Sequence, residues 1–180
     1  MQVNADEKRG YKRIMNNSKP IVVLCGKSGS GKDYLANCFN LKRNVGNTTR
    51  QARKNEKDYN YYTKDYYLND VDKSKIVTPT LYNDNYYWVW LKDFESEKFE
   101  YTVANFEGIR DLYNDINSGK ITRKVKFIYV KCSLVKRIKN MRKRGDTFKD
   151  ILKRLRTDKI EFKGAEDFVV NELKGKLIKM

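Results

Sequence analysis

Two glycines separated by four residues, with a lysine directly after the second, stand in the run Gly26-Lys27-Ser28-Gly29-Ser30-Gly31-Lys32-Asp33. The spacing suits the binding of a polyphosphate. Glycines at 26, 29 and 31, with Ser28 and Ser30 between them, let backbone N–H groups curl around phosphate oxygens. Lys32 then reaches the β- and γ-phosphates of a nucleotide. Asp33 departs from the pattern, which there has a Ser or Thr hydroxyl that meets Mg²⁺. A carboxylate at that point repels phosphate unless a cation lies between them. Asp33 therefore either holds Mg²⁺, directly or through water, or stabilises the start of the following helix.

A second cluster of donors follows at Thr48-Thr49-Arg50-Gln51-Ala52-Arg53-Lys54-Asn55-Glu56-Lys57-Asp58-Tyr59. Two arginines three residues apart, with tyrosine hydroxyls brought near, make a fixed set of donors for a dianionic phosphate. Histidine is absent, which excludes Ser-His-Asp and Cys-His nucleophilic sites and an ordinary zinc site. The chemistry left is that of lysine, arginine, carboxylates, hydroxyls and backbone. Net charge is +16, and from Lys120 onward 20 basic residues face only 7 acidic ones. Such a field attracts nucleotide phosphates or a nucleic-acid backbone, or it is a solubilising lysine-rich surface.

The elements that must position these residues are legible in outline. Ile21-Val22-Val23-Leu24-Cys25 reads as a strand buried on both faces, and residues 33–41 as a helix with Leu35, Ala36 and Phe39 on one side. Residues 45–91 break into short, tyrosine-rich, turn-punctuated segments, the pattern of a small β-rich insert. Strands are then expected at 101–104, 125–130 and 168–170, helices at 107–116, 134–144 and 148–162, and a short helix at the end. Alternating strands and helices imply an α/β fold with a doubly wound parallel sheet. The apolar run Ile21 to Cys25, like every other in the sequence, is far short of the roughly 20 residues a bilayer span needs. Three widely spaced cysteines and an N-terminus without an apolar stretch point to a soluble, cytoplasmic protein. The Asn-, Lys- and Tyr-rich composition suggests an AT-rich coding genome, such as a bacteriophage's.

At residues 48–59 the sequence resembles the guanylate kinase family, whose pattern is TTR-x-x-R-x-x-E, then DY and an aromatic, then a GN-x-YG turn. The turn stands here as Asp84-Asn85-Tyr86-Tyr87-Trp88, Arg144-Gly145 with Arg154 resembles the family's lid, and Asp167-Phe168-Val169-Val170-Asn171 its aspartate, aliphatic strand and asparagine. The resemblance runs in order from residue 20 to residue 180. It implies a P-loop NTPase-type sheet over 20–44 and 92–180, a nucleotide-monophosphate-binding insert over 45–91 and a helical lid at about 137–160, while residues 1–19, polar, mixed in charge and without apolar periodicity, read as a loose extension. It also implies ATP and Mg²⁺ as cofactors and a nucleoside monophosphate as acceptor. Arg50, Arg53, Tyr59 and Tyr87 would hold the monophosphate, Lys32, Arg144 and Arg154 would act on the transferring group, and Asn171 would contact the nucleotide. Arg137 and Arg142 are neighbouring candidates, and Asn140 falls where the family has another lid arginine.

The departures lie where the family reads guanine. By the resemblance, Thr78, Asn105 and Gly46 replace a carboxylate, an aspartate and a serine, so no carboxylate meets the guanine N1–H and 2-amino group. Either the base differs, or Glu56, Asp84, Asn85 or Glu107 reads it. Val103 and Asn105 likewise replace the acid that ends the strand, and Trp88 in place of a small residue would narrow the pocket or stack on a base. The leading expectation is an ATP-dependent kinase for (d)GMP or a related nucleotide. A silent guanylate-kinase-like module for a phosphorylated partner and a nucleic-acid end kinase are the competitors.

Overall fold

The computed structural model describes residues 19–52 and 59–180. In chain order it contains β1 (Ile21–Cys25), α1 (Lys32–Cys38), β2 (Gly46–Thr48), β3 (Tyr59–Tyr61), β4 (Ile76–Tyr82), β5 (Asn85–Trp90), α2 (Leu91–Glu95) and β6 (Tyr101–Val103). There follow α3 (Phe106–Asn117), β7 (Val125–Lys131), α4 (Leu134–Lys143), α5 (Phe148–Glu161) and β8 (Lys176–Lys179). β1 is aliphatic nearly throughout and buried at every position, as a strand covered on both faces must be. Its side chains alternate between two cores: Ile21, Val23 and Cys25 pack with Ile109, Leu112, Phe127 and Phe162, whereas Val22 and Leu24 pack with Leu35, Ala36, Ile128 and Val130. The sheet order is β6-β1-β7-β8, all neighbours parallel, which makes it the α/β sheet expected from the alternating pattern.

The tyrosine-rich middle stretch forms a second sheet, ordered β3-β2-β5-β4 and mostly antiparallel. It has a small core of its own, Tyr67, Val71, Ile76 and Trp88, with Tyr62, Tyr66, Tyr86 and Trp90 packed against it. The Trp88 ring lies 4.9 Å from that of Tyr67 and 5.4 Å from that of Tyr62, so it packs in this core, and Trp88 also lines the cavity described below.

Residues 168–170 are not a strand. A left-handed Gly164 (φ 78) starts a helical turn that runs through Glu172, and Val169 is wholly buried beneath the sheet. The last strand is instead β8, where a terminal helix was expected; Ile128–Lys131 pairs with Lys176–Lys179 in parallel. Gly175 permits this sharp return, because a Cβ there would stand 2.7 Å from the Val169 carbonyl and 2.8 Å from that of Phe127. Three aliphatic or aromatic residues in a row suggested a strand, but helix caps and packing decide between helix and strand for so short a run. No helix among the described residues is long and apolar enough to cross a membrane.

Candidate active site

β1 delivers the chain to Gly26 (φ 149), and the loop enters α1 through Gly31 (φ 94), both conformations that L side chains rarely adopt. Space demands glycine too: a Cβ on Gly26 would lie 2.4 Å from the Val130 carbonyl, and one on Gly29 2.6 Å from that of Arg137. Lys32 folds back over the loop, its Nζ donating to the carbonyls of Gly26 (2.6 Å) and Lys27 (3.3 Å). Burial, the largest influence, lowers its pKa; the carboxylates of Asp33 and Asp158 oppose this and Arg144 adds to it. The Ser30 hydroxyl is buried in the loop without a hydrogen-bond partner.

The loop is clamped from α4 and α5. Asp158, 1% exposed, accepts from the Ser28 N–H (2.9 Å), the Ser28 hydroxyl (3.1 Å), the Tyr82 hydroxyl (3.1 Å) and the Arg137 guanidinium. Arg137 also donates through Nε to the Ser28 carbonyl (2.8 Å), and Asn140 donates to the Gly29 carbonyl (2.8 Å). Arg137 and Asn140 therefore hold the loop, while Arg142 is exposed. Burial, followed by the Asp158 charge, pushes the Tyr82 hydroxyl up to about 12.

Above the loop opens a cavity of about 810 Å³. It gathers Gly26, Ser28, Gly29, Ser30, Gly31, Lys32 and Asp33 on one side, and Gly46, Arg50, Tyr59, Thr78, Tyr87 and Asn105 on the other. Arg144 and Arg154 overhang it. Arg50 is positioned by its N–H to the Thr48 hydroxyl (3.1 Å) and lies 5.6 Å from the Tyr59 ring, which meets Tyr87 edge-on at 5.8 Å. Burial, the dominant cause, pushes the Tyr59 hydroxyl up to about 12. Thr78 holds φ 51, a rare conformation for a β-branched residue, at an irregularity between β4 and β5 that turns it to the cavity.

Three assignments stand differently. Asn171 is exposed on the turn after α5 and does not line the cavity. Arg53 lies outside the described residues, as does Glu56. Asn105 reaches the cavity wall as the cap of α3: its Oδ1 accepts from Gly108 N–H (2.9 Å) and its amide bonds the Glu161 carboxyl. Of the substitute base readers, Asp84, Asn85 and Glu107 do not line the cavity.

Sequence reasoning missed Asp146, Asp158, Arg43 and Asn44. Asp146, with its side chain 5% exposed, pairs with both Arg144 and Arg154 (3.6 Å to the latter) and so ties the two overhanging cations together. Its signal was the Arg144-Gly145-Asp146 turn itself; nothing in the pattern marked Asp158.

As to Mg²⁺, the described residues hold no group of three or more metal-ligating acids or thiols. Asp33 is the cavity carboxylate next to the loop, and Arg43 is 2.9 Å from it. This donor set fits a cation held mainly by phosphate oxygens and water, as Mg²⁺ commonly is.

Glu161, behind Asn105, is pushed up to about 7, first by burial and then by Asp158 and Glu107; the Asn105 hydrogen bond opposes them. Its pKa is raised on folding from an ordinary 4.5, so its contribution to stability is whole below about pH 4.5 and is lost as pH rises through about 7. Glu161→Gln is expected to remove that loss, gaining on the order of 2–3 kcal/mol at pH 8, or roughly 5–10 °C in melting temperature, with little gain at pH 4. Equal shifts at both pH values would trace the effect to packing instead.

A parallel α/β sheet, a glycine-rich loop entering a helix and a cleft under basic helices together make a phosphate-loop α/β fold, whose likeness to a guanylate kinase structure follows. Among solved structures the chain is similar to guanylate kinase from Anaplasma phagocytophilum, with a TM-score of 0.53 and 20% identity over 90% of this chain and 77% of that one. No protein-family model and no curated protein matches the sequence.

Proposed function

We propose that this protein is an ATP-dependent nucleoside monophosphate kinase of guanylate-kinase type, acting in the cytoplasm on (d)GMP or a related (deoxy)nucleoside monophosphate. One observation carries the reading: a single cavity joins the phosphate loop, an arginine–tyrosine clamp and two overhanging arginines. The structural neighbour is itself a guanylate kinase, which agrees with it. In this reading residues 20–44 and 92–180 are the core, 45–91 the acceptor-binding insert and about 137–160 the lid.

Loop N–H groups and Lys32 hold the β- and γ-phosphates of ATP. Arg50, Tyr59 and Tyr87, with Arg53, fix the acceptor phosphate as a dianion and aim its oxygen at the γ-phosphorus. Arg144 and Arg154, held by Asp146, stabilise charge on the transferring group, a contribution on the order of 10³–10⁵ in rate for such arginines. Mg²⁺, when bound, would neutralise charge on the phosphate oxygens, and Asp33 would be the carboxylate that holds it, directly or through water. The cavity's own carboxylates, Asp33 and Asp158, are both already paired with arginine. The acceptor base is therefore decided by experiment: ADP release from ATP and Mg²⁺ is measured with GMP, dGMP, AMP, dAMP, CMP, dCMP, UMP, dTMP and an oligonucleotide. Turnover with at least one mononucleotide, abolished by Lys32→Ala, is expected. Turnover only with the oligonucleotide would favour an end kinase, and none from the folded protein would favour a binding module.

A further inference from the structure

We propose that Arg43 is a further phosphate-site residue and that it works with Asp33 as one charge-compensated unit at the junction of the two half-sites; this rests on the kinase reading above. Arg43 donates through its guanidinium to Asp33 at 2.9 Å, and its side chain is 16% exposed against 58% for Asp33. The backbone beneath it is fixed to the sheet edge. Arg43 bridges to Tyr101, the Lys42 carbonyl accepts from Glu100 N–H (2.7 Å) and Tyr101 N–H (3.2 Å), and Asn44 N–H donates to the Tyr101 carbonyl (2.7 Å). The same guanidinium lies 5.2 Å from the Tyr59 ring, with Arg50 on that ring at 5.6 Å. Asp33, Arg43, Tyr59 and Arg50 thus form a continuous link from the phosphate loop to the acceptor clamp.

The need for this link follows from Asp33 itself. A hydroxyl after the loop lysine carries no charge; a carboxylate there repels the polyphosphate it adjoins. Paired with Arg43 it presents no net charge, and the loop keeps the full benefit of Lys32 and its N–H groups. A second observation marks the same segment as ligand-facing. Asn44 is 2% exposed, lines the cavity, and has both side-chain amide atoms without a hydrogen-bond partner. Buried polar atoms are rarely left so unless a ligand or water completes them. Removing Arg43 alone therefore leaves the Asp33 charge facing the phosphates, whereas removing both charges does not.

The test is a double-mutant cycle read by calorimetric binding of ATP with Mg²⁺. Arg43→Gln is expected to weaken ATP binding by roughly tenfold to a hundredfold, since it leaves Asp33 unopposed beside the phosphates. Asp33→Asn added to it restores affinity to near that of Asp33→Asn alone, and Arg43→Lys, which keeps the charge, stays within a few-fold of wild type. Melting temperatures of all variants report folding separately. Unchanged affinity in Arg43→Gln, or a double variant no tighter than Arg43→Gln, overturns the proposal while leaving the kinase reading intact. A folded wild-type protein that binds no ATP overturns both.

Discussion

Lys32→Ala is expected to slow phosphoryl transfer about a thousandfold, equivalent to roughly 4 kcal/mol of transition-state stabilisation. The side chain is not a surface cation that solvent could replace. Its Nζ is drawn to the Gly26 carbonyl at 2.6 Å and the Lys27 carbonyl at 3.3 Å, which sets the ammonium over the cradle formed by the loop. Charge developing on the phosphoryl oxygens meets a donor already in place, so little reorganisation is needed. Burial lowers the lysine pKa, and Asp33 is the strongest of the groups that oppose it. Activity is therefore expected to fall on the alkaline side earlier than an ordinary lysine would require, as the ammonium is lost. Steady-state rates across pH, with far-ultraviolet circular dichroism on both proteins, check this. A folded Lys32→Ala protein within tenfold of wild-type kcat would remove Lys32 from the chemistry.

The phosphate loop was legible because its geometry is local: glycine positions, the strand before and the helix after all fall within a few residues. The parallel sheet was legible for a similar reason, since a β-branched run buried on both faces has few alternatives. The fold failed to announce itself at residues 168–170, where a helical turn buries Val169 and leaves the sheet edge to Lys176–Lys179. A strand at an edge with two exposed lysines has no pattern strong enough to claim its place. In the site, Arg50 and Lys32 could be found by spacing, but Asp146 and Asp158 could not. Both act through partners brought together only by tertiary structure: Asp158 bonds Ser28 across 130 residues of chain. Arg43 was hidden differently, because an arginine in a chain of 39 basic residues carries no signal until Asp33 is seen beside it. Asn105 lines the cavity and also caps α3, a second role that its place in the family pattern does not signal.

Asp158→Leu is expected to destabilise the protein by about 3–5 kcal/mol, the usual penalty for leaving a buried charge without its partner. Arg137 is 6% exposed, and the guanidinium would lose its carboxylate with no water to take its place. Ser28 would lose the acceptor for both its N–H and its hydroxyl, and Tyr82 one for its own hydroxyl. Removing the second charge tests the argument. Arg137→Met combined with Asp158→Leu fills the same space without burying an ion, and is expected to regain all but about 1–2 kcal/mol, the residue being the unpaired Ser28 groups. Function should not return with stability, because the pair is also what fixes Ser28 and holds the phosphate loop to α4 and α5. Urea denaturation of the two variants, set beside their ATP affinities, separates these effects. A double variant as unstable as Asp158→Leu would show that packing, not the buried charge, governs this site. A double variant that binds ATP like the wild type would show that the loop keeps its shape without the clamp.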